Sequence, residues 1–352
     1  MFFTIAKSPH TELTEQHQIG DWTICTDRGW KASRSATGLV LEKGLLDTDC
    51  VITCDGHDWQ IHTKVLRRFP LWCSESGDFV SNLVVAEKRI DNPHQLSYHN
   101  GKPLVKHRHS PHWLMPAHNK TLSRQQVEEK ICDNLVRQTE SLRAVLPDHD
   151  LPVIAPISKG VDCALVRAAL DYCGVPYSSQ KISVKSIDKD KVGDREHLWG
   201  YRQMMDEGQP HIQATGYFGD ARLFRHFPYL VGFMRKWNID LAEEFDKAGH
   251  TYMRNTFDRN FRHKLSNMHD TEDMTKTLID QMINDFQIWH IDDCLTWTPL
   301  ADIEIMRLGL SIDPDTALDQ ILHAGLSKSL IKRLSPRRLD EIQKNHNGNQ
   351  PV

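Results

Sequence analysis

One short stretch of this chain combines residue types that handle phosphate. Ser158-Lys159-Gly160-Val161-Asp162-Cys163 follows an apolar run, Leu151-Pro152-Val153-Ile154-Ala155-Pro156-Ile157, and precedes a helical pattern. Backbone N–H groups at such a turn and the positive end of the helix dipole converge on one spot, which suits an anion. Ser158 adds a hydroxyl donor and Lys159 a positive charge, while Gly160 lets the backbone approach a ligand closely. Asp162 would repel a phosphate unless a Mg²⁺ bridges the two.

The elements around this loop must hold it in place. The run Leu151–Ile157 reads as a buried strand. Ala164 to Cys173 is helical in pattern, Gly174 stands where a helix C-terminal glycine belongs, and Pro176 follows just beyond. Lys181-Ile182-Ser183-Val184 reads as a second strand, so the order strand–loop–helix–strand predicts a parallel βαβ unit. A third strand, His211-Ile212-Gln213-Ala214, ends at Thr215-Gly216. The remainder, from Asp220 to about Asn345, reads as mostly helical.

Upstream, Ser123-Arg124-Gln125-Gln126 is a capping box that opens a helix with apolar positions Val127, Ile131, Leu135, Leu142 and Val145. Residues 99–120 are rich in His, Pro, Asn and Lys and read as a loop or linker. The first hundred residues alternate short apolar runs (Trp22–Cys25, Gly38–Leu41, Cys50–Thr53) with turn signals such as Asp27-Arg28-Gly29 and Asp55-Gly56-His57. That pattern predicts a mostly β domain.

The phosphate loop resembles the Ser-Gly-Gly-x-Asp-Ser loop (PP-loop) of N-type ATP pyrophosphatases, the family of asparagine synthetase and β-lactam synthetase. A second stretch, Thr215-Gly216-Tyr217-Phe218-Gly219-Asp220, resembles that family's Ser-Gly-x-Gly-x-Asp segment after the third strand. Trp297-Thr298-Pro299-Leu300-Ala301-Asp302 looks like its Thr-Pro-Phe-x-Asp segment, more loosely. Arg67-Arg68-Phe69-Pro70-Leu71-Trp72 echoes the Arg-x-x-Pro-Leu-Tyr region of the glutaminase half. Two departures stand in the loop itself: Lys159 replaces a Gly and Cys163 replaces the final Ser.

The resemblance implies an α/β chain of two domains with a short tail. Residues 1–118 would be a degenerate, glutaminase-like (Ntn-hydrolase-like), mostly β domain. Residues 119–345 would be a parallel-sheet ATP pyrophosphatase domain with a helical C-terminal part, and 346–352 a disordered tail. It implies ATP and Mg²⁺ as cofactors, with Asp162 and Asp220 as the metal pair. Ser158, Lys159, Gly160, Val161, Asp162, Cys163, Gly216 and Gly219 would hold the nucleotide. The glutaminase nucleophile is a Cys exposed by Met removal, whereas residue 2 is Phe2 and no Cys precedes Cys25. The expectation is therefore a ligase without glutamine hydrolysis, as in β-lactam and carbapenam synthetases. Tyr217 stands where β-lactam synthetase has a Tyr that works with a Glu to deprotonate the amine, and Glu243 and Glu244 are possible helpers. Lys328 and Lys332 lie where the synthetases place a catalytic Lys.

The implied activity adenylates a small-molecule carboxylate and transfers it to ammonia or a substrate amine. Two other readings stay open: an adenylating enzyme that modifies a nucleic-acid base or a protein side chain, and an inactive synthetase-like binding module.

Composition bounds these readings. The 352 residues suffice for about two domains, and the net charge of −4 argues against a general nucleic-acid-binding role, leaving room for one local basic groove. No apolar run approaches the roughly 20 residues of a membrane span, and the N-terminus lacks a secretion signal, so the expected location is the cytoplasm. Of eight cysteines only Cys50 and Cys54 lie close together, which favours free thiols in a reducing compartment over a zinc site. His107, His109, His112 and His118 cluster at spacings too irregular for a metal site. Asp292 and Asp293, beside Trp289 and His290, read either as pocket lining or as a solvated turn. The basic run Lys332 to Arg338 reads as a solvated helix end.

Overall fold

The computed structural model describes residues 3–7, 15–26, 29–35, 38–46, 50–63, 71–81, 88–90, 95–99, 102–106, 121–157, 160–181, 211–216, 237–251, 254, 255, 258 and 294–346. Both helices and strands are present, with antiparallel sheets first and a parallel sheet with helices later.

The N-terminal strands are β1 (Phe3–Ala6), β2 (Glu15–Ile19), β3 (Trp22–Thr26), β4 (Lys31–Ser35), β5 (Gly38–Lys43), β6 (Cys50–Cys54), β7 (Trp59–Thr63), β8 (Leu71–Cys73), β9 (Phe79–Ser81), β10 (Lys88–Ile90), β11 (Gln95–His99) and β12 (Lys102–Lys106). They form two six-stranded antiparallel sheets, ordered β10-β8-β9-β1-β3-β2 and β12-β11-β7-β6-β5-β4. Burial alternates with the period of two that a half-buried strand requires: Leu39 and Leu41, then Cys50, Ile52 and Cys54, then Trp59 and Ile61 are buried. These side chains share one core with Phe3 and Ile5 of β1 and Trp22 and Ile24 of β3, so the two sheets close on each other. Trp22 fastens them. Its ring meets Tyr98 edge-on at 4.9 Å and its Nε1 donates to the His57 carbonyl at 2.9 Å.

Cys50 and Cys54 occupy the same inward face of β6, four residues apart, and pack in this core. Burial pushes the Cys54 thiol up, as expected of a thiol packed in a core. Among the described residues, seven of the eight cysteines are present as thiols.

The loop expected over residues 99–120 is corrected at its start. Lys102–Lys106 pairs antiparallel with Gln95–His99 as the outermost hairpin of its sheet. Leu96 and Tyr98 turn into the core, and Pro103 is tolerated because an edge strand can spare a donor. The histidines at 107, 109, 112 and 118 lie outside the described residues.

The C-terminal part opens with α1 (Arg124–His149). Its predicted capping box is formed: Ser123 N–H donates to Gln126 Oε1 at 3.0 Å, and Gln126 N–H to Ser123 Oγ at 3.4 Å. Val127, Ile131, Leu135 and Leu142 are buried as the spacing predicts, and Val145 is half-buried. Then come β13 (Val153–Ile157), α2 (Val161–Tyr172), β14 (Ser178–Lys181), β15 (His211–Ala214) and β16 (Cys294–Trp297). The four strands form one parallel sheet in the order β14-β13-β15-β16.

Strand β14 begins three residues before the predicted Lys181, and residues 182–184 lie outside the described residues. Strand β16 interrupts the stretch read as mostly helical: Leu295 and Trp297 turn into the core while the backbone pairs with β15. The described C-terminal helices include α3 (Leu241–Lys247), α4 (Ile303–Leu310), α5 (Pro314–His323), α6 (Gly325–Leu334) and α7 (Pro336–His346). Helices α6 and α7 pack on α2, and α4 and α6 on α1. Residues 347–352, most of the expected tail, are not among those described.

Candidate functional site

The strand order decides where a ligand can sit. From β13 the chain passes through α2 to β14 on one side, whereas β15 lies against β13 on the other. The carboxyl ends of β13 and β15 therefore diverge at a topological switch point, where open parallel sheets have a crevice. Residues 160–163 follow β13 and Thr215-Gly216 follows β15, so the described parts of both sequence motifs stand at that edge of the sheet.

At the loop, Gly160 occupies the N-cap position of α2 with extended backbone (φ −74°, ψ 137°). Glycine brings no side chain to cap the first turn and leaves the backbone approachable from solvent; Gly160 is exposed. Val161 is buried and anchors the first turn in the core. Asp162 follows in that turn and is 9% exposed. Cys163 is half-buried.

Gly216 closes the arrangement from the other side. A Cβ at this position would overlap the backbone joining Asp162 to Cys163 and would lie 2.6 Å from the Asp162 carbonyl oxygen. Only glycine allows the two backbones to touch in this way. Thr215 N–H donates to the Trp297 carbonyl at 3.0 Å, which ties this segment to the end of β16. Ile157, the last residue of β13, is an apolar side chain 42% exposed beside the loop.

The third motif forms the next stretch of the same sheet edge. Thr298 is buried, Pro299–Ala301 makes a 3₁₀ turn, and Asp302 caps α4 by accepting from Glu304 N–H at 2.8 Å and Ile305 N–H at 3.2 Å. Asn134 of α1 donates to the same carboxylate at 3.1 Å, and Gln138 donates to the Pro299 carbonyl at 3.1 Å. Asp302 thus fixes the turn to α1.

The structure brings together Gly160, Val161, Asp162, Cys163 and Gly216. Ser158, Lys159, Tyr217, Gly219 and Asp220 lie outside the described residues, as do Asp292, Asp293 and the Arg67–Pro70 stretch. Lys328 is half-buried on α6, and Lys332 is exposed one turn before Ser335. Ser335 Oγ donates to Asp171 at 3.0 Å, at the end of α2 opposite the loop. Glu243 and Glu244 are both paired with Lys247, at 2.8 and 2.9 Å.

Sequence reasoning missed the charges along α2. Asp171 accepts from Arg338 Nε at 2.7 Å, Arg337 Nε at 3.2 Å and Tyr177 Oη at 3.0 Å. Burial opposes its ionisation, but the hydrogen bonds from Arg338, Arg337 and Tyr177 outweigh that and hold the carboxyl well below the usual carboxylate range. Burial and the Asp171 charge push the Tyr177 phenol up to about 12. The basic run expected to be a solvated helix end therefore spends Arg337 and Arg338 on an internal carboxylate. Arg167, 2% exposed, is the second charge of α2 that escaped notice. Its signal was visible as a single cation inside the apolar run Ala164-Leu165-Val166-Arg167-Ala168-Ala169-Leu170. No protein-family model matches the chain, and no curated protein matches it either.

Proposed function

We propose that the chain is an ATP-dependent, AMP- and pyrophosphate-forming amide ligase, with an ATP pyrophosphatase unit over residues 119–345 and a non-hydrolytic glutaminase-like unit over residues 1–118. The observation that carries this reading is the contact of Gly216 with the Asp162–Cys163 backbone at the switch point of the parallel sheet. Two stretches far apart in sequence, each resembling a motif of that family, come together there in their described parts, which supports the reading.

The chain's own groups suit the task. The start of α2, with Gly160 at its N-cap, turns the positive end of the helix dipole toward the place proposed for the triphosphate. The exposed Ile157 offers an apolar face to a base ring. Asp162 stands in the first turn of α2, where a Mg²⁺ on the phosphates would be held, with Asp220 as its expected partner. Mg²⁺, when bound, supplies charge neutralisation at the departing pyrophosphate.

The chemistry follows from leaving groups. A carboxylate would have to expel oxide, so it first attacks the α-phosphate of ATP and pyrophosphate departs. The acyl-adenylate then expels AMP when an amine attacks. Ser158, Lys159 and Gly160 would position the pyrophosphate, and Tyr217 would take the amine proton with a carboxylate's help. In the N-terminal unit Cys25, Cys50, Cys54 and Cys73 are all buried, which supports a unit without a thiol nucleophile.

The test is pyrophosphate release from MgATP with pools of carboxylates and amines, alongside calorimetric binding of MgATP. Release that requires both an acid and an amine supports the ligase. Release that requires nucleic acid or protein moves the acceptor to a macromolecule. No binding and no release with any pool would falsify the adenylation reading.

A further inference from the structure

We propose that His250 and His323 form a two-histidine site for a transition-metal dication of the Zn²⁺ class. Their imidazole rings stand side by side where α3 and α5 end, with centroids 5.8 Å apart and planes inclined by 48°. A Zn–N bond of about 2.0–2.1 Å plus the radius of the ring sets each centroid roughly 3.2 Å from a shared ion, so two imidazoles on one ion stand roughly 5–6 Å apart. His250 is half-buried, and its Nε2 is enclosed with no hydrogen-bond partner among the described residues. An enclosed imidazole nitrogen needs a partner, and a cation supplies one. His323 is exposed, so an ion can reach the pair from solvent.

Both residues are fixed at helix ends of the polarity a cation favours. After α3, Gly249 is left-handed (φ +69°), its N–H donates to the Asp246 carbonyl at 3.1 Å, and His250 N–H donates to the Phe245 carbonyl at 2.9 Å. The His250 carbonyl accepts from Arg254 N–H at 2.9 Å, so its backbone is bonded on both sides. His323 is the last residue of α5, ahead of Ala324, whose φ of +54° ends the helix. The carbonyl ends of two helices therefore adjoin the rings, and that pole attracts positive charge. The carboxylates four residues earlier, Asp246 and Asp319, are taken by Arg254 at 3.2 Å and Arg124 at 2.6 Å. Among the described residues no group of three or more His, Cys, Asp or Glu is arranged around a metal, so the remaining coordination positions fall to water or an incoming ligand. Imidazole ligands select a Zn²⁺-like ion over Mg²⁺, which takes oxygen donors, so this site is chemically distinct from the one proposed at the phosphate loop.

The test is calorimetric titration of Zn²⁺, in buffer with excess Mg²⁺, into the full chain and into His250→Ala, His323→Ala and His323→Cys, with melting curves taken with and without Zn²⁺. The chain has 20 histidines, so the readout is the difference between variants, not the total uptake. Each alanine variant should lose one Zn²⁺ equivalent of the wild type, or bind it about tenfold or more weakly. His323→Cys should keep that equivalent, because a thiolate also ligates Zn²⁺. Zn²⁺ should raise the melting temperature of wild type and His323→Cys more than that of the alanine variants. No Zn²⁺ uptake by wild type, or uptake unchanged in His323→Ala, overturns the proposal. So does a loss in only one of two folded alanine variants, because a shared ion needs both rings. His323 is exposed at a helix end, so its two variants decide the matter if His250→Ala fails to fold. The titration contains no nucleotide, so its outcome is independent of the ATP reading.

Discussion

Gly216 lies against the peptide that joins Asp162 to Cys163 so closely that a Cβ on it would sit 2.6 Å from the Asp162 carbonyl oxygen. Both partners in this contact are backbone, so no side chain can swing away to make room. Gly216→Ala must displace the segment after β15 or the first turn of α2, at a cost of about 1–3 kcal/mol. MgATP affinity should fall at least tenfold. Gly174→Ala is the matched control: its left-handed φ of +65° costs about 1–2 kcal/mol, yet nothing lies within 4 Å of the added carbon. It should lower the melting temperature and leave affinity unchanged. Equal affinity losses in the two variants would mean that Gly216 matters only for stability.

Asp162 is 9% exposed in the turn that would receive phosphate. Asp162→Asn keeps the shape and removes the charge. The variant is expected to stay folded and to lose about 100-fold or more of pyrophosphate release, the scale seen when one transition-state electrostatic partner is removed. Its MgATP binding should no longer depend on Mg²⁺ concentration. Full activity in this variant would remove Asp162 from the metal assignment.

The two lysines of α6 should separate in their effects. Asp171 is nine residues beyond Asp162 by number, about 13 Å along the α2 axis. Lys332 is exposed within one turn of Ser335, which bonds Asp171 at that far end. Lys332→Ala should therefore change pyrophosphate release by no more than about twofold, in line with an exposed helix residue. Lys328 is half-buried and stands a turn nearer the start of α6. Lys328→Ala is expected to cost at least tenfold, about 1.4 kcal/mol. The reverse order of losses would assign the late cation to Lys332.

How much of this was legible in the sequence depended on how local each signal was. The Ser123 capping box, the strand His211–Ala214 and the stop at Gly174 are written in neighbouring residues, and each stands where the pattern put it. Strand β16 is four residues within a long segment of helical composition, and its reason for being a strand is the pairing of Leu295 and Trp297 with β15, more than eighty residues earlier by number. The hairpin at Lys102–Lys106 was hidden by polar, edge-strand composition. Of the site, Gly160 and Asp162 could be read as a phosphate loop and Gly216 as a motif match. That Gly216 is required by close backbone approach became visible only when the two segments met. Arg167 was readable as a charge in an apolar run, but its pairing with Glu341, 174 residues away, was not.

The latch at the far end of α2 should give the chain an acid-sensitive step. The Asp171 carboxyl is held well below the usual range because the arginine and tyrosine hydrogen bonds outweigh its burial. An unfolded aspartate titrates near 3.9, so as pH falls the unfolded chain takes up the proton first. The stability this group provides is therefore fully present above about pH 5 and is lost as pH falls through 4 toward the depressed folded value. Asp171→Asn removes it and leaves Arg337 and Arg338 facing a neutral amide. At pH 7 the variant should be less stable by about 3 kcal/mol. Below pH 4 the gap from wild type should narrow steadily. Tyr177→Phe loses the hydrogen bond it donates to Asp171 and the one it accepts from Arg338, about 1 kcal/mol each, and should leave most of the acid slope in place because the arginines remain. Urea melts of the three proteins from pH 7 to pH 3 provide the measurement. A wild-type-to-Asn gap that stays constant over that range would show that the carboxylate charge contributes no folding stability, despite two guanidinium groups within 2.7 Å of it.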